Sequence, residues 1–506
     1  MNHDATGGVF DAFAAVAARR ADAVALDAGD GHSMSYRELR ECAARFAAVL
    51  RARGIAPGDR VVVQVEKSPA AVALYLACLQ CGTIFVPLNT AYTDAEVAYF
   101  LGDAEPALFV HDGSRSDAWP LAAAMARSAG EGLWAEALAA VPDPASVPRR
   151  ASDIAAICYT SGTTGRSKGA MISHGNLLSN AAALIELWRM TEHDCLLHIL
   201  PIFHVHGLFV AMHCALLSGA QVRFEPQFDA ARTRQRLAGA TVMMGVPTHY
   251  VRLLAEPGFG RDECRTMRLF ISGSAPLRAE SHHAFAARTG HAILERYGMT
   301  ETGMITSNPY NGPRIAGTVG FALPGVVIRA RDGDGNEVGV GAVGTLELTG
   351  PNVTPGYWRM PDKTTEAFTD DGWFVTGDLV TMEATGRVTI VGRSKDLIIA
   401  GGFNIYPKEI EAIIDAMPGV VESAAIGIAH DDFGESIAVF IVTEPGCDVD
   451  QHAVMAWVAT RLARFKHPRQ IEFLAALPRN AMGKVQKAAL RNRNTPRAIG
   501  NQMLEV

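Results

Sequence analysis

The chain has 506 residues, 49% of them hydrophobic and 20% charged, with Gly and Pro dispersed along its length. That length exceeds what one hydrophobic core organises, so two or more domains are expected, and the balance excludes a disordered, fibrous or low-complexity protein. The formal charge of −7 argues against a nucleic-acid binder, whose electrostatic footprint would be a basic excess.

Elements of two kinds alternate from the N-terminal side. Between Tyr36 and Gly54 the apolar residues Leu39, Ala43, Phe46 and Leu50 recur at helical spacing, and after a Pro-Gly-Asp turn Val61-Val62-Val63 reads as a short strand. The alternation repeats with a helix near Ala70 to Cys81, a strand at Ile84 to Val86, a helix over Asp94 to Leu101 and a strand at Ala107 to Val110. This predicts an α/β fold with largely parallel sheets. Arg115 to Ser152 reads as surface helix and loop leading into the apolar strand Ile154 to Tyr159. After Arg393 the texture changes to a compact α+β module: strand Leu397 to Ile399, helix Pro407 to Ala416, strands Val421 to Ile428 and Ile437 to Val442, and helix Asp450 to Leu462. The expected domains are therefore residues 1–394 and 395–506, joined at a short charged connection suited to a hinge.

The eight cysteines (Cys42, Cys78, Cys81, Cys158, Cys195, Cys214, Cys264 and Cys447) lack framework spacing, so buried free thiols in a reducing cytosol are expected. Cys78 and Cys81 form a C-x-x-C inside an apolar helix-like run with no second pair, which favours packing over metal or redox work. No basic segment with an apolar core and no uncharged membrane-length stretch is evident. A cytoplasmic protein without membrane contact is the expectation.

The first chemical motif follows the strand at Ile154: Tyr159-Thr160-Ser161-Gly162-Thr163-Thr164-Gly165-Arg166-Ser167-Lys168-Gly169. Glycines, hydroxyls and a lysine after a buried strand suit a phosphate chain, with backbone N–H groups accessible and a cation at Lys168. The spacing does not fit a P-loop NTPase, because the lysine follows Ser167 and precedes a glycine. An ordinary flexible loop is the bland alternative.

The loop resembles the phosphate-binding signature of the adenylate-forming superfamily of acyl-CoA synthetases, luciferases and peptide-synthetase adenylation domains. Later segments resemble its other motifs in the same order. Gly273-Ser274-Ala275-Pro276 resembles the adenine-flanking turn, and Tyr297-Gly298-Met299-Thr300-Glu301 resembles the adenine-stacking and metal-binding motif. Thr376-Gly377-Asp378 resembles the ribose motif, and Gly392-Arg393-Ser394-Lys395-Asp396 resembles the ribose-contacting arginine followed by the hinge residue, here Lys395. Gly401-Gly402-Phe403-Asn404 resembles the glycine strand lining the pantetheine tunnel, and Pro478 to Lys484 resembles the loop of the catalytic lysine. Coverage runs from about Phe10 to about Arg491.

The resemblance implies a large N-terminal α/β domain of the adenylate-forming type with a small, mobile α+β C-terminal lid. It implies ATP, Mg²⁺ and the co-substrate CoA. Lys484, Glu301 and Thr164 become the catalytic candidates, and Glu301 also the metal ligand. Thr160 to Gly165, Lys168, Gly273 to Ala275, Tyr297 to Thr300, Asp378, Arg393, Gly401 and Gly402 become the nucleotide- and CoA-side candidates.

The acid is read from residues beside these motifs. Arg296 precedes the stacking tyrosine, where strand alternation directs it away from the base, and a guanidinium suits a second, distal carboxylate. His206 adds a polar group in Leu200-Pro201-Ile202-Phe203-His204-Val205-His206-Gly207. In an apolar acyl tunnel an unpaired cation would cost about 1–3 kcal/mol or more. Pro201 to Phe209, Met267 to Leu277, Leu294 to Glu301 and Thr306 to Tyr310 closely resemble the malonyl-CoA synthetases. That likeness assigns the free malonate carboxylate to Arg296 and His206, with Ser272 a third candidate, while Val205 and Met304 set the room for substituted malonates. Left open are a structural ion pair of Arg296 with Glu295 or Glu301, a core role for His206, a medium-chain or aryl acid, transfer to a carrier protein, and a non-catalytic nucleotide sensor. The expected partners are small molecules, with the protein a monomer or weak homo-oligomer.

Overall fold

The computed structural model describes residues 7–29, 31–113, 122–124, 132–160, 167–400, 403–430, 434–480 and 483–494. Its contacts divide the chain into two compact units, 1–329 with 347–376 and 383–389, and 330–346 with 377–382 and 390–506. A single cut after residue 394 does not reproduce this division, because two short segments earlier in the chain belong with the C-terminal module.

The large unit holds a six-stranded and a nine-stranded sheet. Strands Arg60–Gln64, Ile84–Pro87, Leu108–His111 and Ile154–Thr160 pair in parallel, and Lys168–Ser173 turns back antiparallel to Ile154–Thr160. Helices Tyr36–Ala52, Pro69–Cys81 and Asp94–Ala104 fall where apolar spacing predicts them. The helix Pro69–Cys81 starts at Ser68, whose hydroxyl accepts from the Ala71 N–H at 3.2 Å, and ends at Gly82 with φ of +70°. It is buried on every side from Ala71 onward, so Cys78 and Cys81 pack in the core and all eight cysteines are free thiols. Cys447, however, is exposed, against the expectation of burial.

The nine-stranded sheet has a parallel centre, Val24–Gly29, Gln221–Phe224, Cys195–His198, Val242–Gly245, Leu269–Ser272 and Leu294–Met299. Its apolar cover includes Leu197, Met243, Tyr250, Phe270 and Phe285. Open parallel sheets bind ligands beyond the carboxyl ends of their strands, and Ser272 and Met299 are such ends.

In the small unit, Val420–His430 and Gly434–Thr443 form a long antiparallel pair, with Gln470–Phe473 added in parallel. The helices Pro407–Asp415 and Gln451–Ala459 supply Ile410, Ile414, Val454 and Val458 to its core. Among the described residues no helix is long and apolar enough to cross a membrane.

Candidate active site

Strand Leu294–Met299 pairs with Leu269–Ser272 on one side, Ser272 opposite Glu295, and with Gly303–Ser307 on the other, Arg296 opposite Ser307 and Tyr297 opposite Thr306. Successive side chains on a strand face opposite ways, so Arg296 and Tyr297 serve different sides of the sheet. A register shift follows between Tyr297 and Gly298, where the chain turns toward Thr300 and Glu301.

Arg296 is only 3% exposed, and its Nε and Nη2 are buried without a hydrogen-bond partner. Neither neighbouring carboxylate serves it: Glu295 Oε1 accepts from the Gly317 N–H at 3.1 Å, and Glu301 Oε1 accepts from the Tyr357 hydroxyl at 3.0 Å. Burial pulls the guanidinium down to about 9, countered only by Tyr250 and Cys214, so it stays cationic at neutral pH. The guanidinium rests against Gly273, where an added Cβ would lie 2.5 Å from Cζ. Any larger residue at 273 would displace the guanidinium.

His206, 1% exposed, meets the Ser274 hydroxyl through Nδ1 at 3.2 Å and leaves Nε2 buried and unpartnered. Burial, with Arg296 beside it, holds its pKa well below the usual range, so the ring is neutral. The Ser272 hydroxyl is likewise buried without a partner. Gly273, against the guanidinium, and Ser274, against His206, are consecutive, so one turn gathers the Arg296 and His206 groups, while Ser272, opposite Glu295 in the register, faces the other side of the sheet. Buried polar atoms are seldom left so, and an anion accepting from Arg296 and His206 accounts for both.

Val205 is buried where the π-helical turn His206–Met212 begins. Met304 is buried under Gly298, and its backbone is held on both sides by Asn180, whose Oδ1 accepts from Met304 N at 3.0 Å while Nδ2 donates to Met304 O at 2.9 Å. A cavity of about 20 Å³ lies between Val205, Phe209, Asn180, Gly303 and Glu301. It has room for about one water and not for an aryl ring.

On the phosphate side, Thr160 pairs with Lys168 across the strands, while Ser161, Gly162, Thr163, Thr164 and Gly165 lie outside the described residues. Lys168 Nζ stands 4.1 Å from the centre of the Tyr357 ring. Tyr357 thus touches both Lys168 and Glu301, a link that sequence reading missed. Only its place in the Gly-Tyr-Trp turn after two prolines signalled a fixed aromatic. Among the described residues no group of three His, Cys, Asp or Glu could cage a metal. One buried carboxylate, Glu301, fits Mg²⁺, which takes few protein ligands and completes its shell with water and nucleotide phosphates.

The small unit contains a second cluster. Arg393 Nε donates to Asp378 Oδ1 at 2.7 Å, Asp378 being 3% exposed, and Ser394 Oγ donates to Gly377 O at 2.9 Å. Lys395 lies in the 3₁₀ turn Ser394–Asp396, with Arg491 paired to Asp396 at 2.9 Å. The Lys484 ammonium is drawn down to about 8 by burial and by Arg393 and Lys395, against the opposing pull of Asp378 and Asp396. Ile398–Ala400 pairs with Phe403–Ile405, Ala400 opposite Phe403, and Gly401 and Gly402 lie outside the described residues. Lys487, three residues beyond Lys484, is paired with Glu411 at 2.6 Å.

Comparison with known proteins agrees with this geometry. The AMP-binding enzyme family matches residues 13–358, and the AMP-binding enzyme C-terminal domain matches 409–484. A feruloyl-CoA synthase of Amycolatopsis sp is 34% identical over 92% of this chain and 94% of its own, and a malonate–CoA ligase of Arabidopsis thaliana is 32% identical over 96% and 88%. The crystal structure of ATP-bound MatB from Rhodopseudomonas palustris superposes with a TM-score of 0.93 at 49% identity, covering 96% of this chain and 99% of that one. With the strand-end site, the ordered motifs and the matches over both parts of its length, the chain belongs to the AMP-binding enzyme family.

Proposed function

We propose that the protein ligates malonate to coenzyme A with ATP, through a malonyl-adenylate, releasing pyrophosphate and AMP. The observation that carries this reading is Arg296, a buried cation with two N–H sites unpartnered beside the equally unpartnered His206 Nε2. A monocarboxylate with an apolar tail would leave that charge unpaired, at a cost of about 1–3 kcal/mol or more. A short diacid places its free carboxylate there and its reacting one toward the nucleotide. The similarity to proteins named malonate–CoA ligase, at 32% identity for the Arabidopsis thaliana protein and 33% for one of Mus musculus, supports the same choice. Val205 and Met304 bound the room at the malonate methylene.

In the first half-reaction one malonate oxygen attacks the α-phosphorus and pyrophosphate leaves. Lys484 offsets the negative charge on the reacting carboxylate and α-phosphate, and Thr160 to Gly165 with Lys168 hold the outer phosphates. Gly273 to Ala275 and Tyr297 to Thr300 take the adenine, and Asp378 with Arg393 takes the ribose. Glu301, steadied by Tyr357, would hold Mg²⁺, which when bound neutralises phosphate charge. In the second half-reaction the C-terminal lid turns about Lys395. This withdraws Lys484 and brings Gly401 and Gly402 to the pantetheine path, so that the CoA thiol attacks the adenylate. The protein works in the cytoplasm as a monomer or weak homo-oligomer, on small molecules alone.

The test is pyrophosphate release and thioester formation with malonate, methylmalonate, acetate, octanoate and benzoate. Malonate as the best substrate is expected. Preference for octanoate or benzoate refutes the diacid reading while leaving the adenylating reaction standing, and adenylation without a free CoA thioester points to a carrier protein.

A further inference from the structure

His206 begins a π-helical turn, an uncommon backbone state that other contacts must hold in place. Its ring meets the Ser274 hydroxyl at Nδ1, 3.2 Å away, and is unpartnered at Nε2, so beyond that one contact the backbone it springs from decides where the ring points. The next residue is fixed from two directions. An added Cβ on Gly207 would lie 1.9 Å from Pro201 O, so the preceding loop is pressed directly on the helix start. The Gly207 carbonyl meets His198 Nε2 at 2.9 Å, both groups being buried. His198 closes strand Cys195–His198, and its own carbonyl accepts from Lys67 Nζ at 2.8 Å. One aromatic ring supports both partners: His198 stacks on Phe224 at 5.6 Å, and Lys67 stands 4.5 Å from the same ring.

Because its Nε2 faces a carbonyl while Nδ1 is buried without a partner, His198 must be the Nε2–H tautomer, donating to Gly207 O. From these contacts we infer that His198, anchored by Lys67, is a positioning residue for diacid recognition: it holds the Gly207 carbonyl and thereby aims His206 toward the Arg296 side of the pocket. Neither Lys67 nor His198 touches the acid in this scheme. The inference rests on the diacid reading for its kinetic consequence but not for its geometric one.

The test pairs kinetics with ring-nitrogen NMR of the unliganded full-length protein, on wild type, His198→Phe, His198→Gln and Lys67→Met. The expected result is a malonate KM raised about tenfold or more in His198→Phe, an ATP KM within about twofold of wild type, and partial recovery in His198→Gln, which keeps an N–H donor. Signals of the His206 ring should move in His198→Phe and return toward wild type in His198→Gln. Should His198→Phe prove insoluble, Lys67→Met carries the same expectations at smaller amplitude. Unmoved His206 signals in the variants, or malonate and ATP KM rising together, overturn the inference. A wild type that activates no diacid, with His206 signals that do move, overturns the diacid reading and leaves the positioning role standing.

Discussion

Arg296→Met separates a binding residue from a structural one, because the two roles predict opposite changes in stability. A guanidinium that donates twice to a carboxylate contributes about 1.5–3 kcal/mol per charge-assisted hydrogen bond, so losing both lowers kcat/KM for malonate by roughly 10²- to 10⁴-fold. In the free protein the same side chain is a burden. The burial that lowers its pKa to about 9 corresponds to a penalty on the order of 5 kcal/mol for keeping it charged. Methionine removes that penalty and keeps much of the stem's packing, so the melting temperature should hold or rise by about 1–4 °C. Malonate should raise the melting temperature of wild type and not of the variant. The assay is a thermal melt with and without malonate beside coupled pyrophosphate release. A melting temperature lowered by several degrees with malonate activity retained would refute the reasoning and return Arg296 to a structural role.

Gly273→Ala drives a Cβ into the guanidinium, so the malonate KM should rise about tenfold or more while the ATP KM rises less, as read by initial rates. Tyr357→Phe removes the hydroxyl from Glu301 and should raise the Mg²⁺ concentration for half-maximal adenylation by about 5- to 30-fold, measured by magnesium titration of pyrophosphate exchange. Lys484→Gln should lower adenylation by at least about 10²-fold while thioester formation from supplied malonyl-adenylate persists, checked by single-turnover assays. In the proposed role the charged ammonium of Lys484 is the active form, and burial lowers its pKa to about 8. Adenylation should therefore be flat below that pH and fall as pH rises through it, the opposite slope from a general base.

Much of the fold was legible because its signals are local. The helices Tyr36–Ala52 and Pro69–Cys81 carry their apolar spacing in adjacent turns, and the strand Arg60–Gln64 is announced by its valines and the turn before it. The division into units was not, since 330–346 and 377–382 join the C-terminal module through contacts between segments far apart in sequence. The site shows the same limit. Arg296 beside Glu295 suggests an ion pair on the page, yet strand alternation turns their side chains apart, and Glu295 is occupied by Gly317 N–H. Tyr357 escaped notice because Glu301 lies 56 positions away, and the π-helical His206–Met212 has no composition that sets it apart from an ordinary apolar helix.

Residues 296 and 297 stand side by side on one strand with opposite outlooks. Under the proposed roles, recognition of the acid and of the base are therefore separable traits written at neighbouring codons. Drift at 296, or in the turn at 273–274 beside it, would then exchange one acid for another while the stacking surface proposed at 297 is inherited intact. Within such a scaffold, new acid preferences can diverge by a few substitutions on one face of the sheet, and the chemistry of activation need not be reinvented.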